Sequence, residues 1–175
     1  ETTRAFISTS PFLLISSTNA DGFIDISPRG GIPGFINIID DHNIQFLDQL
    51  GNRKLHTFCN LSHNNKVGLC FMIPGVKEVL RAHGVARLSD DLATIKSLGG
   101  VPEKNRVVVI VTLQKIFPHC SNALNLAGLW SPETWLKAKE QGIPSMLEMA
   151  ESLASSRRGP GKRVQKHSMK PQADR

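Results

Sequence analysis

Seven short runs of β-branched and aromatic residues, ended mostly by Gly, Pro, Asn or Asp, set the limits on this fold. They span residues 12–17, 24–27, 35–39, 43–47, 67–73, 79–88 and 107–117. Runs of this length and composition read as strands. The last contains Val-Val-Val-Ile-Val, the most β-prone stretch of the chain. Asp21-Gly22, between the first two runs, is a hairpin signal, and Asp40-Asp41-His42 turns the third run into the fourth. Gly84, inside the sixth, marks a bulge or a close approach of backbone. Helical patterns cover 52–60, 92–98, 131–141 and a stretch opening at Pro144-Ser145. Ser89-Asp90-Asp91 supplies N-cap chemistry for the second of these, and Ser131-Pro132-Glu133 for the third. There is no regular alternation of strand and helix, which counts against a doubly wound parallel sheet. A small, mainly β barrel with short helical additions is the expected class.

Charge divides the chain in two. The whole carries 21 Lys and Arg against 15 Asp and Glu. Residues 155–175 hold seven of those cations and one acid, so residues 1–154 are neutral. The predicted organisation is therefore one folded domain over 1–154 and a basic, flexible tail over 155–175. A neutral body argues against nucleic-acid binding, because a tail alone gives weak, salt-sensitive attachment. No apolar run approaches the ~20 residues that span a bilayer. The first ten residues lack the basic-then-apolar order of a signal peptide. Because the chain begins on Glu rather than Met, its start is expected upstream. Cys59, Cys70 and Cys120 are odd in number and widely spaced, which reads as free thiols of a reducing cytosol.

Several chemistries drop out on motif grounds. G-x-S-x-G, the phosphate-binding loop ending in Gly-Lys-Ser/Thr, and H-E-x-x-H are all missing. The six histidines are scattered, so no metal site is expected. No catalytic side chain is assigned. His119 and Cys120 are adjacent at the end of a strand, where neighbours point to opposite faces, so they do not make a nucleophile and its base.

What remains is anion chemistry. Arg29-Gly30-Gly31 follows a strand and puts a guanidinium beside backbone amides left open by glycine. Further on, Asp48 leads through Gly51-Asn52 to Arg53 and Lys54 in the first turn of a predicted helix. Cations there oppose the helix dipole by roughly 0.3–1 kcal/mol each. A phosphate on the same amides offsets that cost. Pairing with Asp48 is the alternative. In the sixth run, alternation places Arg81 and His83 on one face and Leu80 and Ala82 on the other.

The motifs SPRGGIPGF, LDQLGNRKLHTFCNLSHNNKVGLCFMIPG, EVLRAHGVARLS and FPHCSNALNLAGLW resemble, in order and spacing, the FMN-binding split-barrel proteins related to pyridoxamine 5'-phosphate oxidase. The likeness runs from about Phe6 to Trp135. It implies a six-stranded antiparallel split barrel with short peripheral helices, a homodimer, and FMN at the subunit interface. By the same resemblance Asn52, Arg53 and Lys54 grip the FMN phosphate, and Arg29 is a second phosphate or ribityl contact. Asp48 then lies along the flavin, and Glu78 and Arg81 approach its ring or ribityl chain. Substrate contacts fall on His119, Asn122 and Trp130. Residues 121–130 carry no cation where relatives carry several, which implies a changed substrate or flavin affinity. The implied function is FMN-dependent transfer of hydride or electrons to or from a small organic molecule. The alternative is a non-catalytic flavin- or haem-binding sensor or carrier.

Overall fold

The structure is a computed structural model that describes residues 1–48, 56–101, 107–120, 122–135 and 142–156. The chain divides into two compact units, Glu1–Glu133 and Thr134–Arg175. In the first, a helix, α1 (Thr2–Thr9), precedes the hairpin β1 (Phe12–Thr18) and β2 (Ile24–Gly30). Then come β3 (Asn37–Ile38), β4 (Asn43–Leu47), α2 (His56–His63), β5 (Lys66–Met72), β6 (Val79–Ser89), α3 (Leu92–Ser97), β7 (Val108–His119) and α4 (Asn122–Leu126). A 3-10 turn, Pro132–Thr134, runs across the boundary between the two units. In the second unit the described residues form α5 (Met146–Ser156).

All seven strands join one antiparallel sheet in the order β2-β1-β5-β6-β7-β4-β3. The mainly β class expected from the sequence holds. Among the described residues the strand count is seven rather than six, because the two-residue β3 adds itself at the edge beside β4. Asp21-Gly22 does make the first hairpin: Gly22 adopts φ 87°, and Asn19 Oδ1 accepts from the amides of Asp21 and Phe23. Gly84 marks the one register shift between β6 and β7. A Cβ there would lie 2.5 Å from the Thr112 carbonyl oxygen and 2.8 Å from Val111 Cγ1, so only glycine lets the two strands close.

Alternation along the strands builds the core. Leu13 and Ile15 of β1, Ile44 and Phe46 of β4, Leu69 and Phe71 of β5, and Val109 and Val111 of β7 are all buried in one cluster. Ile7 of α1 and Leu61 of α2 belong to the same cluster. Burial of this apolar area, at about 25 cal/mol per Å², is the main stabilising term.

Several boundaries differ from expectation for local reasons. Run 35–39 contracts to Asn37–Ile38, because Phe35 is held in a turn by its N–H bond to the Ile32 carbonyl. The first two residues of the 131–141 pattern are Ser131, outside any helix, and Pro132, which opens a 3-10 turn; residues 136–141 lie outside the described set. Helices α1 and α4 are additions that the periodicity did not announce. The expected helix at 92–98 forms as α3, with Asp91 Oδ2 accepting from the Thr94 amide at 2.8 Å. Ser145 and Glu148 close a reciprocal capping box at the start of α5: the Ser145 amide donates to Glu148 Oε2 at 2.6 Å, and the Glu148 amide donates to Ser145 Oγ at 3.3 Å.

Candidate functional site

Polar residues line the inner face of β2. Asp25, Ser27 and Arg29 stand opposite Ser17, Ile15 and Leu13 of β1, all three of which are buried. Strand alternation brings this about, since every second residue from 25 to 29 is polar. Helix α2 lies against this seam. Asn60, itself buried, donates to Ser17 Oγ at 2.9 Å and to Asp25 Oδ2 at 2.7 Å.

Arg29 ends the seam. Its Nε is 2.8 Å from Asp48 Oδ1, and the two side chains are only 18% and 17% exposed. The contact has the distance of an ion pair without the alignment of a hydrogen bond. Nη1 donates to the Pro28 carbonyl and to Ser27 Oγ. Nη2 donates to Thr57 Oγ1, in the first turn of α2, over a long 3.4 Å. The guanidinium thus ties β2 to the end of β4 and to the N-terminal end of a helix. Burial pushes the Asp48 carboxyl above its ordinary range, and the charge of Arg29 draws it back without cancelling the rise.

A cavity of about 340 Å³ adjoins this corner. Gly31, Ile32, Pro33, Phe35, Leu47 and Leu98 are among its walls. It begins two residues beyond Arg29 on one strand and one residue before Asp48 on the other. Gly31 is needed there, since a Cβ would sit 2.7 Å from that of Phe35.

The remaining sequence candidates are dispersed. Asn52, Arg53 and Lys54, the predicted phosphate grip, lie outside the described residues. Glu78 is exposed just before β6. Arg81 pairs with Cys70 and Phe117 in the sheet, in the row that leads through Leu14 to Pro28, on the opposite face from Arg29. Within one chain the sheet separates the two arginines. His119 is the exposed last residue of β7 and Asn122 the exposed first residue of α4. Trp130 is half-buried, and its indole Nε1 is buried without a hydrogen-bond partner among the described residues. Sequence reasoning missed Ser27, Thr57 and Asn60. The period-2 polar pattern 25-27-29 could have found the first; nothing local announces the other two.

All three cysteines are free. No group of three or more metal-ligating side chains occurs among the described residues, and none of the described helices is long and apolar enough to cross a membrane.

A family model described as pyridoxamine 5'-phosphate oxidase matches residues 1–120. No curated protein matches the sequence. Among solved structures, HupZ from Group A Streptococcus shares the fold at 17% identity and a TM-score of 0.53, covering 67% of this chain and 90% of that one. A histidine-to-alanine variant of HupZ aligns at 16% identity and a TM-score of 0.54, covering 68% and 98%. A putative pyridoxamine 5'-phosphate oxidase from Lactobacillus delbrueckii aligns at 21% identity and a TM-score of 0.46, covering 61% and 83%. At these identities the likeness is one of fold.

Proposed function

The chain belongs to the pyridoxamine 5'-phosphate oxidase family, and from that membership we propose that it is an FMN-dependent oxidoreductase acting on a small organic molecule. One observation carries the reading: a guanidinium, Arg29, held four-fifths buried at the N-terminal end of α2 and next to an open cavity.

The fit of FMN can be judged at that corner. Arg29 spends its Nε on Asp48 and its Nη1 on the β2 backbone and Ser27, while among the described residues Nη2 has only the long bond to Thr57. Among the described residues that leaves one edge of the fork to donate to a phosphate oxygen, in a setting where charge-assisted bonds are strong. The donor set fits the phosphate end. Arg29, with Arg53 and Lys54, would hold that group, and the cavity that Ile32, Phe35 and Leu47 help to line offers side-chain faces to a flat ring system. Bound there, the flavin supplies the hydride or electron transfer. The protein binds and orients it. No acid or base is required of the chain.

Family membership also supports a homodimer with the cofactor at the interface. In that assembly Arg81 would act on the flavin only as a residue of the second copy, because the sheet divides it from Arg29.

The test is anaerobic reduction of the FMN-loaded protein by a nicotinamide donor, followed by mixing with quinone or nitroaromatic acceptors. The expected result is flavin reduction and reoxidation over many turnovers. Flavin that binds but never turns over would leave the carrier reading, which the cation-free α4 favours.

A further inference from the structure

Helix α2 is eight residues long, short of the ~12–15 at which a helix begins to hold alone in water. Where it stands is therefore decided by what it packs on. Its buried residues are Thr57, Asn60 and Leu61, at the i, i+3, i+4 spacing of one face. Leu61 belongs to the core, and Phe58 packs against it. Apolar contact of this kind is non-directional, so it holds a helix down without fixing its slide or its rotation. Direction comes from hydrogen bonds. Among the described residues, the side-chain bonds that join α2 to the β1–β2 hairpin are those of Asn60 and the long one at Thr57.

Asn60 is keyed to both strands of that hairpin. Its two acceptors, Ser17 and Asp25, are direct partners in the β1–β2 register. One amide nitrogen gives both its hydrogens, one to each strand, and Asn60 and Ser17 are buried. Breaking such bonds leaves buried polar groups unsatisfied, which is costly. Three residues earlier, Thr57 meets Arg29, which lies four residues beyond Asp25 on the same face of β2. The helix thus runs against the direction of β2, with Asn60 at the Asp25 end and Thr57 at the Arg29 end.

We propose that Asn60 is a positioning residue for the phosphate end of the site. Buried and bonded to both strands, it acts through Thr57 and Arg29 rather than on the ligand. By seating α2 on the Ser17–Asp25 pair, it sets how Thr57 stands against the Arg29 guanidinium, and so how well that guanidinium is held for an anion. The inference rests on the reading of this corner as the FMN phosphate site. It adds that the grip on phosphate is set by a neutral amide at the other end of the seam.

The test exchanges donor and acceptor across the seam. Asn60→Asp removes both donated bonds and places a carboxylate against that of Asp25, where like charges repel. In the double variant Asn60→Asp with Asp25→Asn, the new amide and the Ser17 hydroxyl can both donate to the new carboxylate, which remakes the seat. Asp25→Asn alone completes the cycle. FMN and riboflavin are titrated by fluorescence into each full-length protein, and each thermal midpoint is measured. The preference for FMN over riboflavin should fall about fivefold or more in Asn60→Asp, with riboflavin affinity little changed, and return to within about twofold of wild type in the double variant. If Asn60→Asp does not fold, Ser17→Ala, which removes one acceptor, should show a smaller loss in the same direction. An FMN preference that stays at the wild-type value in Asn60→Asp or, failing that, in Ser17→Ala, whatever the thermal midpoint does, would make Asn60 a purely structural residue. That outcome overturns this inference and leaves the flavin reading standing, as does a double variant no better than Asn60→Asp. A wild type that binds both flavins equally overturns the phosphate reading, and this inference with it.

Discussion

Asp48 is where residue-scale physics is most exposed. Its carboxyl titrates above the ordinary value of 3.8 in the folded chain, because burial outweighs the nearby charge of Arg29. Between the unfolded and folded values the native state holds more protons than the unfolded one. The contribution of Asp48 to stability is therefore greatest below the unfolded value, and it falls as pH rises through the folded one. Asp48→Asn should remove that fall from a profile of unfolding free energy against pH, measured by denaturant titration from just below 3.8 upward. Parallel wild-type and variant profiles would contradict the account. Arg29 and Asp48 were legible as polar residues at strand ends. Their pairing was not, because it depends on the fold bringing together β2 and the end of β4, which lie far apart in the strand order.

At the scale of elements, strands were more legible than helices. β4 matches its run to the residue, and β6 exceeds its run by one. Their alternating burial is written directly in the order of apolar and polar residues. Helices α1 and α4 carry weak periodic signals and owe their existence to what they pack on or follow. Gly84 was readable as a special position, and the structure supplies the reason in the Thr112 carbonyl. Gly84→Val should cost on the order of 1–3 kcal/mol through that clash, seen as a lower thermal midpoint. Phe46, fully buried, gives the opposite defect: Phe46→Ala leaves a cavity and should cost about 3–5 kcal/mol. A Gly84→Val protein as stable as wild type would mean that β6 and β7 do not close there.

At the scale of the molecule, the hairpin joining β1 and β2 leaves Phe23 and Ile24 exposed by 73% and 68%. Neighbouring large apolar residues left open on a sheet edge are the kind of surface that a second copy would cover in the proposed homodimer. Sedimentation should find a dimer of the 19.2 kDa chain, and Phe23→Asp with Ile24→Asp should shift it to monomer. A monomeric wild type would remove the interface on which the proposed shared cofactor site depends. The charge division between residues 1–154 and 155–175 was legible from composition alone, whereas the separation of Arg29 from Arg81 required the strand order. The sequence put both arginines beside strands, and only the pairing of β1, β2, β5 and β6 shows the sheet standing between them.

The central claim is that a phosphate-bearing flavin is held at Arg29. The most direct measurement is a fluorescence titration of FMN and, separately, of riboflavin with the purified full-length protein, repeated for Arg29→Met and Arg53→Ala. The account predicts saturable binding of one FMN per chain. Riboflavin should bind at least about tenfold more weakly, since it lacks the anion that the cations hold, and both variants should lose that preference. Absence of FMN binding, or equal affinity for FMN and riboflavin in the wild type, would contradict it.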